Sequence, residues 1–236
     1  MSSSTPKFPW MPLALLALAL AVFPYAVNRV FILTPIESTM GTAQKIFYFH
    51  LPMAWGLMLF ATISGVAGGI QLAKRSQRAA DVALAAGELS VVLGVGALLS
   101  GGIWGDATWG TAWTGDARLV TTALLVLVFI AYLLVARFGG PNSARLAAAL
   151  AVFGALDVPI IYKAVDIWKT THPKAKVVKS LPPEMWASLW PCLAAILACS
   201  FAVFALRLRQ ERLDRWIDQA WIDLTSDPEP QPEHAS

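Results

Sequence analysis

Two of the three histidines in the sequence lie where an imidazole could bind a metal. His50 falls inside an apolar stretch, where an ionisable residue is costly and usually faces the protein interior with a partner or a function. Its neighbours at helical spacing could form the wall of a slot for a flat hydrophobic ligand, and they are Phe47, Met53, Ala54 and Leu57. The imidazole would then be an axial metal ligand. The alternative is an interfacial histidine that is hydrogen-bonded to a neighbouring helix.

Three tryptophans, Trp104, Trp109 and Trp113, fall within a short segment rich in glycine and small residues. Asp116 and Arg118 close this segment. Aromatic faces and a cation together make a platform for a planar, apolar molecule with anionic edges. Two alternatives stay open, because tryptophans also gather as a belt at membrane interfaces, and an acid followed by an arginine is typical of the start of a helix.

The second histidine, His172, ends a segment that begins at Asp166 and precedes a run of lysines. A six-coordinate haem iron needs two axial ligands, and imidazole suits iron, so a second histidine on the same face as the first would complete such a site. The lysines that could meet the haem propionates or an acidic partner are Lys169, Lys174, Lys176 and Lys179. The alternative is a histidine in a solvated loop.

The composition indicates a membrane protein. Hydrophobic residues make up 57% of the 236 positions and charged residues only 14%, whereas a water-soluble domain carries about a quarter charged residues. The chain lacks the polar side chains to cover a surface in water, so we expect membrane lipid to surround it. The net charge is only +3, and no block of basic residues lies beside aromatic residues in a soluble segment, so nucleic-acid binding is not expected.

Six stretches are long and apolar enough to cross a bilayer, which predicts an all-α, polytopic membrane protein with a six-helix bundle over residues 1–206. The predicted spans cover about residues 10–27, 46–73, 82–103, 119–136, 146–165 and 185–206. Apolar residues at helical spacing then predict a cytoplasmic amphipathic helix over residues 207–225 that lies on the membrane surface. Residues 226–236, with prolines and acids, are predicted to be a disordered tail.

Basic residues predict the orientation of the bundle. Lysines and arginines follow the second, fourth and sixth spans, and cytoplasmic connections carry such an excess, so both termini are predicted to be cytoplasmic. The tryptophan-rich segment then forms an outer loop between the third and fourth spans, and His50 and His172 lie at the same outer face. The lysines between the fifth and sixth spans contradict the charge rule, which suggests an anionic ligand or partner outside.

Residues inside the spans predict how the helices pack. Glu88 and Asp157 are acids within apolar stretches, and we expect each to anchor neighbouring helices by hydrogen bonds, with a proton relay as the alternative. Gly65 and Gly69 form a GxxxG motif, which predicts a close helix contact on that face of the second span.

Three segments resemble one known family. Residues 45–55 around His50, the tryptophan-rich residues 103–122, and residues 158–172 that end at His172 are similar to the haem-handling membrane proteins of cytochrome c maturation. Among these proteins the sequence resembles the haem exporter protein C (CcmC) type, over nearly the whole chain up to about residue 215. The resemblance implies a multi-pass protein of the bacterial inner membrane.

In this family the tryptophan motif cradles haem at the outer face, and two outer histidines ligate its iron. The protein works with an ABC transporter and passes haem to a periplasmic haem chaperone. The resemblance therefore implies that haem b is carried as cargo without catalytic turnover, with His50 and His172 as axial ligands of the iron. The residues that would form the platform, orient the loop or meet the propionates are Trp104, Trp109, Trp113, Asp116 and Arg118.

The sequence departs from the family's motif at two positions. The family usually has a tryptophan directly before its aspartate and a tryptophan pair earlier, whereas this sequence has Gly115 and Ala112 there. Each missing indole removes an aromatic side chain that could bury on the order of 200 Å², so the platform is predicted to be thinner. Two other functions stay open, namely a membrane redox protein with b-type haem and a permease subunit that binds no haem.

Overall fold

The computed structural model describes residues 8–168, 170–172 and 181–226. The residues in these ranges form six α-helices, α1 (Trp10–Asn28), α2 (Phe47–Lys74), α3 (Gln77–Trp109), α4 (Ala117–Phe138), α5 (Ala144–Ile167) and α6 (Pro183–Thr225). A π-helical turn follows α1 at Arg29–Leu33, and short 3-10 turns precede α2 and α5 at Thr42–Ile46 and Pro141–Ser143. Six helical segments are long and apolar enough to span a membrane, and the residues described form no β-strand. The predicted six-helix membrane bundle is confirmed.

Some predictions concern residues outside these ranges. The four lysines of the connection between α5 and α6 (Lys169, Lys174, Lys176 and Lys179) lie there, as do residues 227–236 of the predicted tail. They remain predictions.

α2 lies at the centre of the bundle and packs against α3, α5 and α6, whereas α1 packs mainly against α6. The main apolar cluster of the interior includes Leu57, Phe60, Leu93, Phe129 and Tyr132. A second cluster, at one end of the bundle, includes Val30, Phe47, Tyr48, Trp104 and Leu189. That end also contains His50 and His172, and we call it the histidine end.

Glycines allow α2 and α5 to approach each other closely. A Cβ added at Gly65 would lie 2.1 Å from the Cβ of Ala155, and one at Gly68 would lie 3.0 Å from the backbone oxygen of Ala148. A Cβ at Gly69 would have no atom nearer than 3.9 Å. The close contact therefore uses Gly65 and Gly68, not the predicted Gly65–Gly69 pair.

α3 ends at Trp109, later than the predicted third span, which ends near residue 103. Trp104 and Trp109 therefore lie on its last turns, and residues 110–116 form a connection that is shorter than the predicted tryptophan-rich loop. Gly110 ends the helix with a φ of 73°, a left-handed conformation that glycine adopts without strain. The glycines at 101, 102 and 105 lie within the last turns of α3 and do not interrupt it.

α6 continues without a break to Thr225, so the predicted amphipathic helix over residues 207–225 is not a separate element. The reason is a match of charges between α6 and the first turns of α3. The Nε of Arg207 lies 2.6 Å from Oε2 of Glu88, and Arg215 bonds both carboxylate oxygens of Asp81. The two acids and the two arginines are each about two turns apart, so one face of the extended α6 runs along α3.

Glu88 anchors three helices, as predicted for an acid within a span. It bonds Arg137 of α4 at 2.8 Å and Arg207 of α6, and Glu211 of α6 bonds the same two arginines. These ion pairs define the arginine end of the bundle, opposite the histidine end. Asp157 differs, because its Oδ2 has no hydrogen-bond partner among the residues described, so the anchor predicted at that atom is not found.

The close contact between α2 and α5 predicts different outcomes for two glycines. Gly65→Ala should lower the midpoint of thermal unfolding in detergent, because the added methyl must push the helices apart, and overpacking of this kind costs roughly 1–3 kcal/mol. Gly69→Ala is the matched control and should leave the midpoint unchanged or slightly raised, since nothing crowds that position. Equal midpoints for the two variants would contradict the packing.

Candidate functional site

His50 lies in the first turn of α2, and its ring faces α3. Its Nδ1 is 3.1 Å from the backbone oxygen of Ala97 and 3.1 Å from the hydroxyl of Ser100. That hydroxyl lies 2.7 Å from the backbone oxygen of Gly96, so its single proton is donated there. We therefore assign the imidazole proton to Nδ1, which donates to Ala97 and leaves the lone pair on Nε2.

The close fit of His50 against α3 depends on a glycine. A Cβ added at Gly101 would lie 2.9 Å from Cε1 of the imidazole, whereas one at Gly102 would have its nearest neighbour, the backbone oxygen of Ala112, at 3.5 Å. One turn earlier, a Cβ at Gly96 would lie 2.8 Å from a methionine sulfur of α2. Small residues on α3 thus determine where the imidazole ring sits.

Trp104 and Trp109 pack beside the imidazole on the last turns of α3. The ring centroids of His50 and Trp104 are 5.8 Å apart, and those of Trp104 and Trp109 are 6.2 Å apart. Trp104 is buried, and its indole Nε1 has no hydrogen-bond acceptor in the part of the chain that the structure describes. Trp113 is 51% exposed and does not line the cavity beside His50. The structure therefore brings together two of the three tryptophans predicted as a platform.

Asp116 holds two segments of the histidine end together. Its Oδ1 accepts the backbone N–H of Leu119 at 3.2 Å and caps α4, as expected if this acid begins a helix. Its Oδ2 accepts the hydroxyl protons of Thr114 and Thr171, each at 3.2 Å. Burial raises the pKa of Asp116, but hydrogen bonds from Thr170, Leu119, Thr114 and Thr171 outweigh it and hold the pKa below its usual value. The ionised carboxylate thus ties the segment before α6 to the start of α4.

Arg118 connects α4, α5 and the segment that carries His172. Its guanidinium donates to the backbone oxygens of Ile161 and Tyr162, each at 3.3 Å, and its Nη1 lies 3.3 Å from Nδ1 of His172. A guanidinium donates but does not accept hydrogen bonds, so Nδ1 of His172 is the acceptor and Nε2 carries the ring proton. The two histidines therefore have opposite tautomers.

Both histidines line one small cavity, together with Trp104 and Trp109. The remaining lining residues come from the end of α3, residues 110–116 and the start of α4, and they are Gly101, Gly105, Thr111, Ala112, Thr114, Asp116 and Leu119. The cavity volume is about 20 Å³, room for roughly one water molecule. This volume is far too small for a planar ligand of porphyrin size, so such a ligand could enter only if the lining segments moved apart.

Sequence reasoning missed the residues that hold the two histidines in place. Ala97, Ser100 and Gly101 position His50, and Thr171 tethers the segment of the other histidine. The small residues of α3 gave a signal for close packing, but residue type alone does not say which side chain packs there. The backbone oxygen of Ala97 gave no signal at all, since every residue carries one.

The fold and the site define a class of protein: a polytopic α-helical membrane protein with a histidine- and tryptophan-lined pocket at one end of its bundle. Comparison of the sequence with known families identifies the family to which the chain belongs. The family model described as Heme exporter protein C matches residues 4–223 of the chain. The chain belongs to the haem exporter protein C family, and the predicted resemblance is confirmed.

Individual relatives agree with the family match. Heme exporter protein C of Bradyrhizobium diazoefficiens is 32% identical over 208 residues, which cover 86% of this chain and 77% of the relative. The protein of the same name from Escherichia coli is 29% identical over 196 residues, which cover 78% of this chain and 79% of the relative. The protein of that name from Haemophilus influenzae is 27% identical over 198 residues, which cover 80% of this chain and 79% of the relative.

The hydrogen bond from Thr171 to Asp116 predicts that removing this acid lowers the local protection of backbone amides from hydrogen exchange. Asp116→Ala should speed hydrogen exchange of the peptide that contains residues 170–172 and lower stability by about 1 kcal/mol through the lost helix cap. Because the pKa of Asp116 lies below its usual value of 3.8, the ionised tether persists as pH falls and should be lost only below that value.

Asp106→Ala is the matched control, since it removes an exposed acid of α3 whose side chain makes no hydrogen bond or ion pair within the described ranges. Unchanged exchange at residues 170–172 in Asp116→Ala, or release of the segment already between pH 7 and 5, would show that Asp116 does not hold it.

Proposed function

We propose that the chain binds haem at the histidine end, between His50 and His172, and delivers it for cytochrome c maturation. The observation that carries this proposal is a pocket lined by two histidines from distant segments and by two tryptophans. The relatives are each called a haem exporter, which supports haem as the cargo. We propose haem b, which is held by ligands and contacts without a covalent bond, so that it can be passed on.

His50 acts as the preorganised ligand. Because its Nδ1 donates to the backbone oxygen of Ala97, its Nε2 has the lone pair that iron requires, and the hydrogen bond fixes the ring orientation. The ring also packs against α3 at Gly101, so it cannot move far without a shift of the two helices. His50 is therefore the ligand that stays on the iron while haem is held.

His172 binds iron only after it leaves Arg118. While Nδ1 accepts a proton from Arg118, Nε2 carries the ring proton and has no lone pair for a metal. Release of this hydrogen bond lets the imidazole change tautomer, and it frees the guanidinium for a haem propionate, which it binds with charge assistance. His172 is consequently the ligand that is more easily displaced, and it leaves the iron first when haem is handed on.

The connection between α3 and α4 controls entry to the pocket. The backbone oxygen and Cβ of Ala112 lie against Gly102, and Gly115 has a φ of 68°, where a tryptophan would be strained. The two positions at which this sequence lacks the family's tryptophans thus lie in the segment that covers His50. Haem displaces this segment, and Trp104 and Trp109 supply the aromatic contacts.

The cellular setting of the proposal rests on charge and on the family. Arginines at the arginine end favour a cytoplasmic location, which places both termini in the cytoplasm and the histidine end at the periplasmic face of the bacterial inner membrane. The acceptor is a periplasmic haem chaperone, and the membrane partners are ABC transporter subunits of the maturation system. Ligand exchange at the iron moves the haem, so no catalytic turnover is required.

Visible absorption spectra of the detergent-purified protein, oxidised and reduced, test the two-histidine site. We expect a low-spin haem spectrum for the wild type. His50→Ala and His172→Ala should each lose haem or convert it to high spin, because one axial ligand is gone. His234→Ala removes the third histidine of the chain and should keep the wild-type spectrum.

Wild-type spectra in both single variants would disprove the site. If the wild type holds no haem even after reconstitution, Ala112 and Gly115 have removed the cargo while the family's fold remains. Normal loading of the chaperone by His172→Ala would disprove the role of His172 as the second ligand.

Gly101 offers a test that leaves both histidines in the chain. Gly101→Ala should weaken haem binding or broaden its spectrum, because the new methyl would lie 2.9 Å from Cε1 of His50 and must displace the ring. Gly102→Ala, one residue further along α3, places its methyl at ordinary contact distance and should bind haem like the wild type. Indistinguishable haem titrations of the two variants would show that the ring position is not critical.

A further inference from the structure

A second cavity lies at the arginine end of the bundle, where the turn between α2 and α3 meets the start of α5. Its volume is about 240 Å³, compared with about 20 Å³ for the cavity beside the histidines, so it has room for several water molecules and hence for a phosphate group. We call this cavity the corner pocket. Its lining includes the apolar Leu72, the polar Gln71, Ser76 and Gln77, and two arginines, Arg75 and Arg145.

The two arginines of the corner pocket differ from the arginines that join the helices at this end. Glu88 and Asp81 bond arginines of α4 and α6. Neither Arg75 nor Arg145 forms an ion pair with a carboxylate among the residues described, and no acidic residue of the described ranges lines the pocket. Two positive charges therefore share one cavity without a counter-charge from these parts of the chain, and an anion is the ligand that would compensate them.

Arg75 occupies its position against a backbone preference. It ends α2 with a φ of 51° and a ψ of 34°, and its N–H donates to the backbone oxygen of Gln71 at 2.8 Å. Glycine is the usual residue in this left-handed conformation, as at Gly110 after α3, because a Cβ strains the backbone there. The side chain of Arg75 is exposed, so packing does not explain the arginine, and strain of this kind is concentrated at ligand sites.

The corner pocket borders the surface that faces lipid. The side-chain amide of Gln71 donates to the backbone oxygen of Ala144 at 3.4 Å, which holds the end of α2 beside the start of α5. Leu72, which lines the pocket, and Leu146, which follows Arg145, are 42% and 56% exposed. Apolar side chains at the surface of a membrane bundle contact acyl chains, and arginines beside them lie at the level of the headgroups. A phospholipid is therefore the molecule best placed to supply the anion.

We propose that the corner pocket binds the phosphate of an anionic phospholipid, with an acyl chain along the apolar surface at Leu72. The guanidinium groups of Arg75 and Arg145 donate charge-assisted hydrogen bonds to the phosphate oxygens. Ser76 adds a hydroxyl, since its oxygen accepts the backbone N–H of Ala79 at 3.3 Å and its proton can be donated to the ligand. A zwitterionic lipid binds less well, because its choline would place a further cation beside the two arginines. This site is independent of haem and of the proposed function.

Binding of phosphatidylglycerol and of phosphatidylcholine to the full chain in detergent, measured by microscale thermophoresis, tests the site. The wild type should prefer phosphatidylglycerol. Arg75→Gln/Arg145→Gln should lose this preference and bind phosphatidylglycerol on the order of 25-fold more weakly, at roughly five-fold for each arginine near the headgroup. Lys74→Gln/Arg78→Gln is the matched control, since it removes the same charge at the same end from two exposed residues outside the pocket lining, and it should keep the preference.

Arg75→Gly separates lipid binding from folding. Glycine adopts the left-handed conformation without strain, so the midpoint of thermal unfolding, measured without added lipid, should stay unchanged or rise. The affinity for phosphatidylglycerol should nevertheless fall roughly five-fold, because one of the two guanidinium groups is gone. An affinity equal to that of the wild type would show that Arg75 does not bind the headgroup and would overturn the proposal.

Three other results would also overturn it. The first is equal wild-type affinity for the two lipids, and the second is a loss of affinity in Lys74→Gln/Arg78→Gln as large as in Arg75→Gln/Arg145→Gln. The third is displacement of phosphatidylglycerol by inorganic phosphate at matched ionic strength, which would show that the corner pocket takes a free anion and not a lipid.

Discussion

A bilayer offers no water to polar groups in its interior, so a polar side chain within a span is stabilised by a partner inside the bundle, and few atoms, such as Oδ2 of Asp157, lack one among the residues described. Ser64 of α2 donates to the backbone oxygen of Ala83 in α3 at 2.7 Å, and Glu88 bonds arginines from two other helices. His50 meets the same constraint through the backbone oxygen of Ala97. One requirement therefore sets the register of the helices and also fixes the proton of the imidazole on Nδ1.

The two ends of the bundle meet this requirement with bonds of different strength. At the arginine end, charge-assisted pairs join α3, α4 and α6 around Glu88, and such pairs are roughly twice as strong as neutral hydrogen bonds. At the histidine end, Thr171 donates to the ionised Asp116 and Arg118 donates to Nδ1 of His172, so each of these two bonds has one charged partner, whereas the pairs at the arginine end have two. The proposed delivery of haem would use this asymmetry, since one end would keep the helices together while the other exchanged partners with the cargo.

Family membership and the local departures from its motif concern different parts of the chain. The family model matches residues 4–223, a range that includes the residues of the pocket and almost all of the bundle. The positions predicted to depart from that motif, Ala112 and Gly115, lie in the connection between α3 and α4, which lines part of the pocket. A change there affects the opening of the site and the number of aromatic contacts, while the position of His50 depends on α2 and α3 alone.

The sequence by itself determined the class and the family of the protein. A span needs about 20 apolar residues in succession, so composition and run length were sufficient for six helices, and the motif residues indicated the family. Tertiary structure decided the rest. Trp104 and Trp109 lie on the last turns of α3, and α6 runs on to Thr225. For α6, contacts with distant residues, such as Glu88 with Arg207, outweigh local signals for a helix end. The tautomer of an imidazole likewise depends on which atoms contact the ring in the folded protein, and the spacing of residues along the chain does not reveal which atoms these are.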